Sequence, residues 1–364
     1  MKQIHIKLDE NTHKGLKRRA KESSETIQEH THSLIIQDLK KNVTYSNFKY
    51  IDLFSGIGGM RIPFDELGGQ CVLSSEIDKY AKKTYEAFYQ DAVKGDISNI
   101  NVKDVDDFDI LLAGFPCQPF SQAGHKKGFE DTRGTLFFQI LKFLIDEKKR
   151  PKAFLLENVK GLKGHDKGNT FKVIEKSIKE AGYHLHTTTL KAMDFGLPQH
   201  RERFFLVGFL DNEASARFKF PDPLKTPTKV GDILETKVDE KYTISDKLWA
   251  GHQRRKREHK LKGNGFGYSI FTKNSPYTST LSARYYKDGS EILIQQHGKN
   301  PRKITPLEAA RLQGFPEKIV KNAYAAGVSD TQLYRQFGNA VPVNVIREIA
   351  KNMVKSLKIK EFHR

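Results

Sequence analysis

The sequence predicts an α/β fold: a doubly wound, mostly parallel sheet over about residues 48–208, a smaller irregular domain after it, and a strand-helix-helix extension before it. Three observations carry this prediction. Short apolar runs alternate with helical stretches from residue 48 to about 208, the pattern of strands joined by crossover helices. The strand-like Tyr50-Ile51 runs into Asp52-Leu53-Phe54-Ser55-Gly56-Ile57-Gly58-Gly59, where glycines allow backbone to approach a nucleotide-type ligand. An acid, Glu76, follows Val72-Leu73, at roughly the twenty-residue distance from the loop at which such an acid binds ribose hydroxyls. The loop glycines fall at 56, 58 and 59 rather than as Gly-x-Gly-x-x-Gly, so a nicotinamide dinucleotide is the less natural ligand.

In chain order, residues 1–44 open with Gln3-Ile4-His5-Ile6-Lys7-Leu8, whose period of two predicts a strand. A short basic helix is expected after Asp9, with Leu16 and Ala20 as its apolar positions. A second, from near Ser24, carries Ile27, Leu34, Ile35 and Leu39 at helical spacing. This order resembles a ribbon-helix-helix DNA-binding unit, which implies a homodimer paired through the strand; the alternative is an amphipathic extension packed on the catalytic domain. Further strand ends are predicted before Gly95-Asp96-Ile97, and at Ile110-Leu111-Leu112-Ala113, which precedes Gly114-Phe115-Pro116-Cys117-Gln118-Pro119-Phe120-Ser121. Pro116 and Pro119 remove two backbone donors and rigidify the loop, a poor setting for a merely buried thiol. Later come Phe154-Leu155-Leu156-Glu157-Asn158-Val159, Gln199-His200-Arg201-Glu202-Arg203 and Gln336-Phe337-Gly338-Asn339-Ala340-Val341-Pro342. Between about 209 and 300 the pattern breaks into prolines, glycines and charge, and residues 301–364 are expected to complete the small domain and rejoin the sheet.

The chain has 364 residues, 62 Lys and Arg against 44 Asp and Glu, and a formal charge of +18. Such a balance favours a polyanionic partner, because each phosphate neutralised releases condensed counterions. The two cysteines, Cys71 and Cys117, lie far apart in unlike contexts, which argues against a disulfide framework and for a reducing cytoplasm; Cys71 is expected in the core. No apolar run approaches the roughly 20 residues of a membrane span. The thirteen histidines show no ligand spacing against cysteine, so no metal is implied.

Taken together and in this order, the motifs resemble those of the DNA cytosine-5 methyltransferases, closest in layout to bacterial or phage restriction-modification enzymes, over about residues 48–350. The resemblance implies S-adenosyl-L-methionine as methyl donor and double-stranded DNA as substrate, with a cognate restriction endonuclease acting separately. It places Phe54 and Ser55 at the donor, the Gly56, Gly58 and Gly59 backbone near its methionine part, and Glu76 on the ribose. Asp96 falls on the adenine amine, or else caps the turn before Ser98. Ile77 and Ile97 become apolar walls, and Leu136 and Asn339 complete the pocket.

Carbon 5 of cytosine is too weak a nucleophile for methyl transfer until a thiolate adds at carbon 6 and nitrogen 3 is protonated. The resemblance gives Cys117 the first role and Glu157 the second, the acid being kept neutral by a buried strand end. Asn158 is expected to shape the same turn, Arg203 to donate to cytosine oxygen 2, and Arg201 to hold a phosphate or the catalytic loop. DNA contacts are expected from Gln118, Ser121 and Arg133 in the loop after Cys117. Others are expected from Arg254, Arg255, Thr280, Leu281 and Arg284 in the recognition region. Besides a dehydrogenase, which would leave Cys117, Glu157 and the Gln199 to Arg203 segment unexplained, two rivals remain at this level. One is an RNA methyltransferase on the same scaffold, although Ile270-Phe271-Thr272 lacks the cysteine of that group's Cys-Phe-Thr signature. The other is a regulator acting through residues 1–44.

Overall fold

The computed structural model describes residues 10–22, 27, 30–31, 48–116, 136–146, 148, 150–265 and 267–359. Residues 1–46 form one compact unit and 47–364 another. In the first, helix α1 (Glu10–Glu22) stands where the basic helix was expected. Its Ala20 is buried and its first turn carries a Lys14–Glu10 pair at 2.7 Å. The expected strand at 3–8 and most of the second helix lie outside the described residues.

In the second unit six strands form one sheet, β1 (Phe48–Leu53), β2 (Gly69–Ser75), β3 (Ile110–Gly114), β4 (Ala153–Val159), β5 (His184–Lys191) and β6 (Glu202–Phe209), in the order β2-β1-β3-β4-β6-β5. β2, β1, β3 and β4 run parallel; β6 is antiparallel to both β4 and β5. The burial of β3 and of β4 up to Asn158 on both faces explains why they read as unbroken apolar runs. Helices α2 (Arg61–Glu66), α3 (Lys79–Tyr89), α4 (Leu136–Ile145), α5 (Asn169–Glu180) and α6 (Asn212–Arg217) follow strands. The sheet layer extends past the expected limit of 208, because Ala214 of α6 and Phe218 pack with Phe209 in the sheet's core. Cys71, expected in the core, is half-buried on edge strand β2, and burial pushes its thiol up to about 12.

The region expected to be irregular contains a sixteen-residue helix, α7 (Asp246–Leu261). Ser245 caps it through Leu248 N. Its polar, charged sequence has no apolar stripe to announce it. Short strands β7 (Ile270–Phe271), β8 (Leu293–Ile294) and β9 (Arg302–Lys303) make a second small sheet. The return segment supplies α8 (Pro306–Leu312), α9 (Lys318–Ala325), α10 (Asp330–Asn339) and α11 (Val343–Ser356). Thr305 and Glu308 form a reciprocal N-terminal cap on α8, and Glu308 also takes a two-point, fully buried pair from Arg302 at 2.7 and 2.8 Å. α8 to α10 share a core with Val230, Leu281, Tyr285 and Ile294. α11 instead buries Val345, Ile349 and Met353 against the sheet, so the last segment serves both layers.

Candidate active site

The carboxyl ends of β1 to β4 open into a cavity of about 830 Å³ lined by Phe54, Ser55, Gly56, Glu76, Ile77, Asp96, Ile97, Leu136 and Asn339 among others. Ligands of open α/β sheets bind at this edge. The turn after β1 is conformationally demanding: Phe54, Gly56 and Gly58 have φ of 54°, 55° and 79°, the first a left-handed non-glycine residue of the kind that clusters at ligand clamps. The three glycines have different reasons. A Cβ on Gly56 would meet nothing within 4 Å, whereas one on Gly58 would stand 2.3 Å from the Tyr89 ring. One on Gly59 would be 2.8 Å from Phe315 and Val341. Gly56 therefore offers backbone to the cavity, while Gly58 and Gly59 let α3 and the return segment close on the loop.

Glu76 accepts from Gly56 N at 2.8 Å and from Asp78 N at 2.7 Å, so it pins the loop; carboxylate lone pairs remain for hydroxyl donors. Asp96 accepts from Ser98 N at 2.8 Å, which holds its carboxyl below the usual range, and it also lines the cavity. The cap and a position on the cavity wall thus coexist in one residue. Ile77 is 73% exposed, an apolar wall with nothing against it. Four buried polar atoms around the cavity, among the described residues, lack a partner: Asp52 Oδ2, Ser55 Oγ, Gln332 Oε1 and Gln336 Nε2. Such atoms are costly to leave unpaired, and together with the open Gly56 backbone and the apolar walls they suit a nucleoside carrying a polar, amino-acid-like tail.

Asp52 is the residue that the sequence reading quoted without giving it a role. Burial pushes its carboxyl up to about 8, with Arg61 pulling the other way and Asp65 and Glu76 adding to the rise. A carboxyl that holds its proton more tightly folded than unfolded makes the fold less stable as pH rises from its ordinary value toward 8. We expect the melting temperature of Asp52→Asn minus that of the wild type to grow between pH 5 and pH 8. A difference independent of pH would contradict the assignment.

The chemistry-bearing side chains meet at the ends of β4 and β6. Pairing of Val159 with Arg203, and of Glu157 with Gly114, brings acid, arginine and the approach to Cys117 together. Glu157 is 7% exposed. Its Oε1 lies 2.9 Å from Arg203 Nε but outside hydrogen-bond alignment, leaving that oxygen without a bonded partner. Burial raises the Glu157 pKa, opposed by Arg203 and then Arg201. Asn158 donates from Nδ2 to Phe115 O at 2.8 Å and accepts from Val159 N, which fixes the backbone two residues before Cys117. Cys117, Gln118, Ser121 and Arg133 themselves lie outside the described residues.

Two expectations are corrected. Arg201 does not face a phosphate: it is fully buried and its guanidinium donates to the carbonyls of Leu281, Gly338 and Ala340. Leu281 is no DNA contact either, since its side chain is 0% exposed in the small domain's core and its N–H donates to Gln199 Oε1. Thr280 turns its hydroxyl to His200 O. Arg284 is exposed. On α7, Arg254 is exposed beside Glu258 at 3.7 Å, whereas Arg255 is held by Asp288 at 3.1 Å and donates to His252. Sequence reasoning missed Gln199 and Gln313, both fully buried. It also missed the Gln332, Arg335 and Gln336 face of α10 that lines the cavity; polar residues on an amphipathic helix read as its solvent side.

Fold and site define an α/β methyltransferase with a cavity at the carboxyl ends of its parallel strands, beside a buried acid and an arginine. Solved structures with this fold include an Entamoeba histolytica methyltransferase, EhMeth (TM-score 0.68, 20% identity, 85% of this chain and 98% of that one). Another is S. pombe Dnmt2 methyltransferase (TM-score 0.68, 21% identity, 85% and 99%). The chain belongs to the C-5 cytosine-specific DNA methylases, whose family model matches residues 48–355. Among its relatives, the Type II methyltransferase M.NlaX of Neisseria lactamica is 61% identical over 313 residues, covering 85% of this chain and 97% of the relative. The Type II methyltransferase M.DsaV of Dactylococcopsis salina is 56% identical over 314 residues, covering 86% and 88%.

Proposed function

We propose that this chain methylates carbon 5 of cytosine within a short recognition sequence in double-stranded DNA, as the modification half of a restriction-modification system whose endonuclease acts separately. The observation that carries the reading is the buried Glu157 2.9 Å from Arg203, a residue that lines a cavity whose unpartnered polar atoms fit an amino-acid-bearing nucleoside. When bound, S-adenosylmethionine supplies an electrophilic methyl group. Phe54, Ser55, Gly56, Glu76, Ile77, Asp96, Ile97, Leu136 and Asn339 hold it.

The target nucleotide leaves the stack at a cost of a few kcal/mol. Cys117, as thiolate, adds to carbon 6, while Glu157 gives its proton to ring nitrogen 3; the ring becomes an enamine with a nucleophilic carbon 5. Arg203 donates to oxygen 2, and its charge steadies the carboxylate that Glu157 becomes. Once carbon 5 carries the methyl group, its proton leaves to water. The carbon–sulfur bond then breaks, nitrogen 3 returns its proton to Glu157, and Cys117 leaves as thiolate. Asn158 holds Phe115 O, two residues before Cys117, throughout. Arg254 and Arg284, exposed, are phosphate and base-edge candidates respectively.

Bisulfite sequencing of unmethylated DNA incubated with the protein and S-adenosylmethionine tests the reading. One cytosine protected in one recurring short sequence is the expected result, and no protected cytosine would remove it. Residues 1–44, outside the family match, are proposed to bind DNA as a dimer independently of methylation. Comparing the full chain with one starting at residue 46 on a promoter fragment lacking the methylation site should give a shifted complex for the full chain only; equal behaviour would sink that role.

A further inference from the structure

The segment Pro198-Gln199-His200-Arg201 ties together parts of the chain that belong to different tasks. Arg201 donates to Leu281 O at 2.9 Å, 80 residues away, and to Gly338 O and Ala340 O at 2.9 and 2.6 Å, 137 and 139 residues away. Gln199 adds a bond to Leu312 O and one from Leu281 N. Thr278 exchanges backbone bonds with the same strap, its N donating to Pro198 O and its O accepting from His200 N. The joint is closed from the other side by Gly338: a Cβ there would stand 2.3 Å from Ser282 O and 2.4 Å from Ala283 N, so the end of α10 and the 282–283 backbone touch with no room for a side chain.

The two sides of this joint face different ligands in the reading above. Gln336, Gly338, Asn339, Ala340 and Val341 line the donor cavity, whereas no residue from 278 to 284 does; that stretch ends in exposed Arg284 on the proposed DNA side. We propose that Arg201 is a positioning residue through which segments 278–284 and 338–340 are ordered as one body, so that DNA and methyl donor bind cooperatively. A planar guanidinium with five donors bonds carbonyls on both sides at once; an ammonium, with three donors on a single nitrogen, does not reproduce this fork. Coupling of this kind is reciprocal: whatever steadies the 338–340 turn steadies Leu281, and the reverse. The proposal rests on the methyltransferase reading and adds to it a route between its two substrates.

The test titrates S-adenosylhomocysteine into the full-length protein by calorimetry, with and without saturating unmethylated duplex carrying the mapped cytosine. The wild type should bind it about fivefold or more tightly with DNA present. Arg201→Lys, and separately Gly338→Ala, which wedges the joint while leaving the guanidinium in place, should bring that ratio toward one. Partial unfolding alone would reduce the active fraction and leave the ratio unchanged. Hydrogen exchange on the wild type needs no variant: S-adenosylhomocysteine alone should increase protection at 278–284, and duplex alone at 336–341. Protection confined to each ligand's own side, or a wild-type ratio of one with both ligands bound, overturns the coupling. A wild type that binds neither ligand overturns the methyltransferase reading and the coupling with it.

Discussion

Cys117→Ser should abolish methyl transfer, a loss of at least about 10⁴-fold of the kind seen when a nucleophile that works with a positioned acid is removed, while the variant still binds duplex DNA. Serine keeps the loop's shape and nearly the volume of the side chain but is protonated at any working pH, so it cannot add to carbon 6. The residues up to Pro116 prepare for Cys117. Asn158 fixes Phe115 O at 2.8 Å, and the β3–β4 register sets Gly114 opposite Glu157, so the loop leaves the sheet beside the acid. DNA bearing a fluorine at carbon 5 of the target cytosine should trap the wild-type protein covalently, because the ring then has no proton to lose, and should not trap Cys117→Ser. Clean methylation of normal DNA without any trapped adduct on the fluorinated duplex would contradict the covalent route.

Glu157→Gln should lower kcat/KM by about 10²- to 10⁴-fold, the usual contribution of a positioned general acid. An amide donates a hydrogen bond to nitrogen 3 but transfers no proton. The pH profile separates this from a packing defect. Burial raises the Glu157 pKa while Arg203 opposes the rise, so the acid is protonated below its raised pKa and the wild-type rate falls as pH climbs through it. The glutamine variant has no such limb and should show a flatter alkaline side. If the variant keeps the wild-type alkaline fall, another group carries the proton. Breaking a buried pair leaves the partner charge exposed to a poor medium, and Arg203 here borders the cavity, where water reaches it; the Glu157→Gln protein is therefore expected to fold.

Much of the catalytic layer was legible because its signals are local. Strands β1, β3 and β4 are apolar runs ending in motifs, and the chemistry sits in the two or three residues after each strand, where a sheet presents them to solvent. Gly56, Gly59, Glu76 and Asp96 follow strand ends and line the cavity there, while Glu157 and Asn158 were singled out through the family resemblance. The cap on Ser98 and the ligand position of Asp96 were read as alternatives, and they are compatible because one carboxylate oxygen suffices for the cap.

What could not be read is what depends on distant partners. Arg201 and Arg203 are two residues apart on one strand edge and look alike in sequence; only the packing of Leu281, Gly338 and Ala340 around the first makes it a buried clamp and leaves the second at the cavity. Leu281 looked like a reader because it follows Thr280, and became core because the return helices cover it. Helix α7 was missed since its mostly charged faces carry no periodic apolar signal. The sequence by itself determined the strands of the sheet and the family. The tertiary structure alone decided which arginine is a clamp, which glycines are spacers and which polar atoms await a ligand, since each depends on atoms far apart in the chain, as Arg201 does on Ala340 and Gly59 on Phe315 and Val341.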